Sequence, residues 1–505
     1  MTKFLFALFI SMAAVPSLSA QTKTAKPATR PAKPMQAATT ATQHPQAAQG
    51  YRVTLETPSF KSGLAYLTYH WGKNLNIQDS AAVSNQGVAI FKGDKTLPPG
   101  IYAIVFPGKT LTVDFFIDKE QVIDIKADTS NLQNIVVTGS KENDLFQQYQ
   151  KFIAVKGTQM QKSKADYASA KTKEDSTLHE SEYNRYNKEL NDYRESVVTS
   201  QPKSMMTSLL NAMKEPPYPT KKAVTHQDSL DNYYYYKAHY WDGITFMDER
   251  VVRTPFFLPK LERYYREVMP QDPDSIIKDA DYKLLLARTA PEMYKFLLNW
   301  LTDEYLNPKY MGQDKIFVHL YEKYHGQAMS PWLNEKQMET IRKRYYMLVM
   351  NLIGEPAANL EFADSTGKIN ALYDVKADYT VVIFWDPTCG HCKQEIPRID
   401  SIYQASWKAK NVKIYAVLTE DQKPAWVNYL KEHKLGDWIN VYQTKEMAKA
   451  DEDAQKPSYR QLYDVTMTPT IFLLDKDKRI KGKKMNWEQL NEFIFGKIGK
   501  PNEGK

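Results

Sequence analysis

The sequence predicts a multidomain protein with a β-rich N-terminal sandwich, an α-helical middle domain and a C-terminal α/β domain. Three observations lead to that reading. After residue 50, short β-branched and aromatic runs are separated by Gly and Pro turns. Further on, apolar residues recur at three- and four-residue intervals between prolines. Beyond Ile353, buried-strand runs alternate with helical ones. The length of 505 residues exceeds what one hydrophobic core organises. With 42% hydrophobic and 25% charged residues, the composition is that of a folded globular chain. The formal net charge is +8, with bases interleaved among acids. This describes a solvated surface with a lean towards acidic partners such as a membrane surface. No Arg- or Lys-rich block is present, so nucleic acid is excluded as a partner class.

Residues 1–20 read as a secretory signal. Lys3 supplies the positive start, Phe4 to Val15 the apolar stretch, and Ser19-Ala20 small residues for cleavage. The stretch is too short for a spanning helix. The expectation is an exported, soluble, periplasmic protein, held at the membrane only by an uncleaved signal. No Cys ends the signal, which excludes a lipid-modified N-terminus. Residues 21–50 are rich in Ala, Thr, Pro, Gln and Lys without apolar period, and read as a disordered linker.

Residues 51–139 form the expected β domain, a small antiparallel sandwich. Strands are expected over Tyr51–Thr57, Leu64–Trp71, Val88–Phe91, Ile101–Phe106, Leu111–Ile117 and Val122–Ala127. Ser62-Gly63, Pro98-Pro99-Gly100 and Pro107-Gly108 mark breaks. Residues 140–350 form the helical domain. Periodic stretches cover Leu261–Val268, Tyr282–Leu286, Met293–Leu306 and Met338–Leu352, punctuated by Pro216-Pro217, Pro255, Pro270 and Pro331. The charged stretch Lys162–Arg194 reads as one long exposed helix. The Tyr233–Tyr236 run fits either helix packing with wetted hydroxyls or a recognition surface. In residues 351–500, strands are expected at Tyr379–Trp385, Val412–Leu418 and Ile439–Tyr442. A hairpin of Thr470–Asp475 and Arg479–Lys481 follows. Helices are expected at Cys389–Lys408, Pro424–His433 and Trp487–Ile498.

The chemistry is concentrated in one segment, Phe384-Trp385-Asp386-Pro387-Thr388-Cys389-Gly390-His391-Cys392-Lys393-Gln394-Glu395-Ile396-Pro397. The chain has 2 Cys, both in this C-x-x-C. That count excludes a disulfide framework and a four-Cys zinc site. A buried strand ends at Trp385 and a helix opens at the first Cys. The free N–H groups and dipole of a helix N-terminus favour an anion, so Cys389 is expected to ionise readily. Cys392 lies one turn on, close enough to resolve a mixed disulfide on Cys389.

With these residues in place, Gly354 to about Lys500 resembles the thioredoxin-like domain of the bacterial TlpA/ResA-type thiol–disulfide oxidoreductases. Gly354-Glu355-Pro356-Ala357 matches the lead-in, and Phe362–Leu372, with Asp364 and Gly367 at a turn, matches an opening hairpin. The Phe-Trp…Cys-x-x-Cys…Glu-x-Pro string matches the active site. Thr468-Pro469-Thr470 matches the cis-proline loop. The β-rich region is similar to small domains that precede redoxin domains in exported Gram-negative proteins. The resemblance covers just under a third of the chain.

The resemblance implies a cis Pro469 beside the thiols, shaping with Thr468 the groove where a substrate backbone pairs. It implies that Glu395 is a partly buried acid exchanging protons with Cys392; a solvent-facing helix Glu is the alternative. Pro397 would be the helix-kinking proline. His391, between the thiols, stabilises a thiolate when protonated, or is a polar spacer. Trp385 either covers the sulfurs or packs. Thr388 stands where many thioredoxin-like proteins have Trp, which bears on substrate preference. Asp386 occupies the place of the Thr or Ser a peroxiredoxin needs, which argues against peroxidase chemistry. His319 and His325, six apart, do not share a helix face, and no G-x-S-x-G serine occurs. The expected activity is dithiol–disulfide exchange with protein thiols, with no cofactor beyond the redox-active Cys389–Cys392 disulfide. A membrane electron donor would recycle the dithiol. The alternative is an envelope binding or assembly factor with a redox-sensing thioredoxin-like domain.

Overall fold

The computed structural model describes residues 50–109, 111–129, 135–219 and 222–496. The expected signal (1–20) lies outside these residues, as does the expected linker except Gly50. The chain divides into two compact units. One runs up to Val268 and includes Leu286–Tyr294; the other comprises Met269–Leu285 and the chain from Lys295 onward.

The first unit opens with strands β1 (Tyr51–Glu56), β2 (Leu64–Trp71), β3 (Asn74–Ala82), β4 (Val88–Gly93), β5 (Gly100–Val105), β6 (Thr112–Ile117), β7 (Val122–Lys126) and β8 (Val136–Thr138). They form two sheets, ordered β4-β1-β7-β8 and β3-β2-β5-β6. Val53, Leu55 and Phe91 of one sheet share a core with Leu67, Ile104 and Phe115 of the other, so the region is a sandwich. The expected antiparallel pattern has one exception, because β1 and β7 run parallel. Strand β3 escaped the sequence reading because none of its residues is buried. An edge strand with both faces wet carries no apolar alternation.

Helices α1 (Lys141–Ser169) and α2 (Lys173–Ser200) follow, then α3 (Met205–Met213), α4 (His226–Ala238) and α5 (Phe257–Arg263). The expected single helix over Lys162–Arg194 is corrected. The chain breaks at Ala170–Thr172, where the Thr172 side chain accepts the Asp175 N–H and caps α2. The Tyr233–Tyr236 run divides: Tyr233 donates its hydroxyl to the Val268 carbonyl (2.9 Å), while Tyr234 and Tyr235 stay exposed. Helix α1 docks on the sandwich through Asn143, whose fully buried amide donates to the Phe116 carbonyl (2.8 Å) and accepts its N–H (2.7 Å). The Phe116 and Phe146 rings stack beside it at 4.4 Å.

Helices α6 (Pro273–Leu286), α7 (Pro291–Leu306), α8 (Asp314–Leu320) and α9 (Glu335–Leu348) come next. Pro273 and Pro291 each stand at a helix start, where a missing N–H costs nothing. The α/β region has strands β9 (Glu361–Ala363), β10 (Ile369–Ala371), β11 (Tyr379–Trp385), β12 (Val412–Leu418), β13 (Ile439–Tyr442), β14 (Thr470–Asp475) and β15 (Ile480–Lys483). Its helices are α10 (Gly390–Ile402), α11 (Lys423–Glu432), α12 (Lys445–Asp453), α13 (Tyr459–Leu462) and α14 (Trp487–Ile494). The sheet order is β10-β9-β13-β12-β11-β14-β15. Strand β11 lies parallel to β12 and antiparallel to β14. Alternate residues of β11 serve two cores. Val381, Ile383 and Trp385 join α10 and α14 on one side, and Val382 and Phe384 join Tyr459 and Tyr463 on the other. This layering is the expected thioredoxin-like architecture. Helix α12 went unread because it buries no residue.

Asn143→Ala is expected to leave the Phe116 N–H and carbonyl unpaired in a dry site, costing about 2–4 kcal/mol. The check is a lower urea midpoint for the transition of the first unit. A loss below about 0.5 kcal/mol would show that water replaces the amide.

Candidate active site

Strand β11 is central and covered on both faces, so its C-terminal end is fixed by hydrogen bonds from two neighbours. The chain then turns through Asp386-Pro387-Thr388. The buried Asp386 carboxylate accepts the Thr388 N–H (2.8 Å) and its hydroxyl (2.8 Å). The Asp386 carbonyl accepts the Cys389 N–H (3.2 Å). This Asx turn delivers Cys389 to the N-cap of α10.

Both cysteines are free thiols; Cys389 is half-buried and Cys392 buried. Burial pushes the Cys389 thiol up. Hydrogen bonding from the Thr468 side chain, from Cys392 and from the His391 backbone outweighs it and leaves the thiol below its ordinary value. Burial also acts on Cys392, and there it wins: that thiol is pushed up to about 12. The protonated Cys389 thiol donates to the Thr468 carbonyl at 3.3 Å. The Thr468–Pro469 peptide is cis, and both residues are half-buried. The pair therefore presents one accessible, acidic sulfur and one sheltered, protonated sulfur three residues on.

The other sequence-derived candidates divide. His391 is exposed on the first turn of α10, and Pro397 lies inside the same helix. Glu395 is half-buried, but its Oε1 accepts the N–H of Trp487, the first residue of α14, at 2.7 Å. No hydrogen bond joins it to Cys392 among the described residues. Of the two readings of Trp385, the structure shows packing, which removes it from the substrate groove. It is 0% exposed, so no substrate can touch it, and its ring meets Tyr429 edge-on at 5.2 Å. His325, one of the two spaced histidines, is a buried neutral group, held by Thr302 (2.8 Å) and Ser330 (2.9 Å), with burial lowering it to about 4.

Sequence reasoning missed three contributors. Tyr429 is buried beside the thiols, with burial and the neighbouring Cys392 charge raising its hydroxyl. In the sequence Asp386 stands out only as a departure from peroxidases, although Asp-Pro-Thr is itself a turn signal that points to its capping role. Trp487 supplies its backbone N–H, which no side-chain pattern reveals.

Two stretches of the chain are similar to known proteins. Residues 353–483 match the AhpC/TSA family, and residues 51–146 match a domain of unknown function, DUF4369. The thiol-disulfide oxidoreductase ResA of Bacillus thuringiensis subsp. konkukian (strain 97-27) is 30% identical over 146 residues, which are 28% of this chain and 76% of the relative. The sporulation thiol-disulfide oxidoreductase A of Bacillus subtilis (strain 168) is 29% identical over 123 residues, 23% of this chain and 67% of the relative. Among solved structures, a domain of a possible thiol-disulfide isomerase from Cytophaga hutchinsonii is 35% identical. It covers 28% of this chain and 91% of its own, at a TM-score of 0.26.

Iodoacetamide is expected to label Cys389 first, with an apparent pKa below the roughly 8.5 of free cysteine. Its rate should fall as pH drops through that value, while Cys392 resists until strongly alkaline solution. Mass spectrometry of the labelled peptides reads the order, and equal labelling of both thiols at pH 7 would contradict it.

Proposed function

Because the chain belongs, through its C-terminal domain, to the ResA-type thiol–disulfide oxidoreductases, we propose that it exchanges its Cys389–Cys392 dithiol for disulfides in protein substrates of the periplasm. The observation that carries the reading is the acidic, half-exposed Cys389 thiol at the start of α10, facing the Thr468 carbonyl. The Cys389 thiolate attacks one sulfur of a substrate disulfide. That S–S bond breaks, a substrate thiolate leaves, and a mixed disulfide forms on Cys389. Cys392 then gives up its proton and attacks the Cys389 sulfur. The second substrate thiolate leaves and a Cys389–Cys392 disulfide remains. Two electrons have passed to the substrate, which takes up two protons.

The contrast between the two thiols supports this order. A thiol held near 12 is a poor nucleophile until a base takes its proton, so Cys392 waits while Cys389 reacts. Glu395 is the carboxylate assigned to that proton. One of its oxygens anchors α14 through Trp487, and among the described residues the other makes no hydrogen bond. Thr468 and Pro469 form one wall of the substrate groove, and the exposed His391 tunes the thiolate when protonated. Reduction of substrates is the favoured direction, and a membrane electron donor would return the disulfide to the dithiol. Export rests on the signal-like residues 1–20. Among the described residues no helix is long and apolar enough to cross a membrane.

Insulin reduction tests the reading. Wild-type protein with a dithiol reductant should precipitate insulin chains, and Cys389→Ser should abolish turnover. A wild type inactive on every thiol and disulfide substrate would favour the binding-factor alternative. Glu395→Gln is expected to slow resolution of the mixed disulfide by roughly 10–100-fold, as loss of a general base does, with less effect on its formation. Equal effects on both steps in stopped-flow kinetics would remove Glu395 from the proton transfer.

A further inference from the structure

We propose that Arg344 is a positioning residue for the thiol pair: through the buried carboxylate of Asp464, it holds in place the loop whose Thr468 faces the Cys389 sulfur. The inference rests on the reading of Cys389 as the nucleophile. Arg344 belongs to α9 and lies outside the segment matched to the AhpC/TSA family, residues 353–483. The cation therefore comes from the helical region, within the same compact unit as the thiols.

The geometry is specific. The Arg344 guanidinium donates from Nε to the Leu306 carbonyl at the end of α7 (3.0 Å) and from Nη1 to Asp464 Oδ1 (2.6 Å). The other oxygen of Asp464 accepts from Lys484 Nζ at 2.6 Å. Asp464 is 1% exposed and each of its oxygens is held by a cation, so taking one cation away leaves a buried carboxylate partly uncompensated. Its backbone is left-handed, with φ 48°, a region that Asp enters more readily than most residues.

Asp464 opens the segment Val465-Thr466-Met467-Thr468-Pro469 that leads into β14. The middle of that segment has little burial to hold it, since Met467 is 71% exposed. Its anchors are at its ends. Asp464 takes the Thr466 N–H on its carbonyl (3.1 Å), and Thr470 in β14 donates its hydroxyl to the Met467 carbonyl (2.6 Å). Val465 adds a third hold, being 4% exposed and donating its N–H to the Arg460 carbonyl (2.8 Å), so the turn at Thr468 rises from a fixed base that Asp464 begins. Lys484 also stands three residues before Trp487, whose N–H holds Glu395. One buried carboxylate thus ties the loop beside Cys389 to the lead-in of the helix beside Glu395.

The test uses the full chain and reads the pH dependence of Cys389 alkylation in Arg344→Met, Arg344→Lys and Asp464→Asn, alongside thermal melting. Arg344→Met is expected to slow alkylation at pH 7 about tenfold, one pK unit towards free cysteine. Arg344→Lys should restore most of the wild-type profile, and adding Arg344→Met to Asp464→Asn should change nothing further. A lowered melting point with an unchanged alkylation profile would make the pair a stability contact only and overturn the proposal. If Arg344→Met fails to fold, Lys484→Met interrogates the same carboxylate from its more exposed side. A shift in the same direction supports the proposal, and no shift overturns it. A wild-type Cys389 no more acidic than free cysteine would instead sink the exchange reading itself.

Discussion

The chemistry of this chain depends on a competition at the first turn of α10 between burial, which favours a neutral sulfur, and hydrogen-bond donors, which favour a charged one. At Cys389 the donors win; at Cys392, one turn deeper, burial wins. The two thiols are chemically alike in isolation. They differ because one caps the helix beside solvent and the other packs inside with Ile396 and Trp385. A helix N-terminus can hold that competition only if it cannot drift. The central strand β11, bonded on both edges, prevents drift.

Sheet order then brings in the remaining parts. Because β14 lies next to β11, the loop ahead of β14 ends beside Cys389, although Thr468 is 79 residues further along the chain. Helix α14 comes back over the same core and meets α10 at Glu395. The acid one turn beyond the resolving thiol thus carries two loads, the capping of a helix and, on the proposed mechanism, a proton.

Much of the architecture was legible because burial leaves a period in the sequence. Val381, Ile383 and Trp385 face one core and Val382 and Phe384 the other, so β11 reads as an unbroken apolar run. Helix α7 and the stretch of α9 read through their three- and four-residue spacing. Elements with both faces wet left no such trace. Strand β3 and helix α12 bury no residue fully and touch the cores only through the half-buried Ala81 and Met447, and the break between α1 and α2 rests on the single cap at Thr172. The antiparallel expectation for the sandwich failed at β1 and β7 because parallel pairing of distant strands is a property of chain path, not of local pattern.

The resemblance, not spacing, paired the proline loop with the thiols, since Thr468 lies 79 residues beyond Cys389. The sequence by itself determined the three-part fold class and the two sulfurs at the mouth of a helix. Those are local facts, carried by residue type and spacing over a few turns. Only the tertiary structure decided that Trp385 is sealed inside, that Glu395 binds the Trp487 N–H, and that Asp464 is shared by Arg344 and Lys484. Each of these joins groups 20 to 120 residues apart or depends on what covers them. Periodicity states that a side chain is buried; which partner satisfies its charge or hydrogen bond depends on how the layers stack.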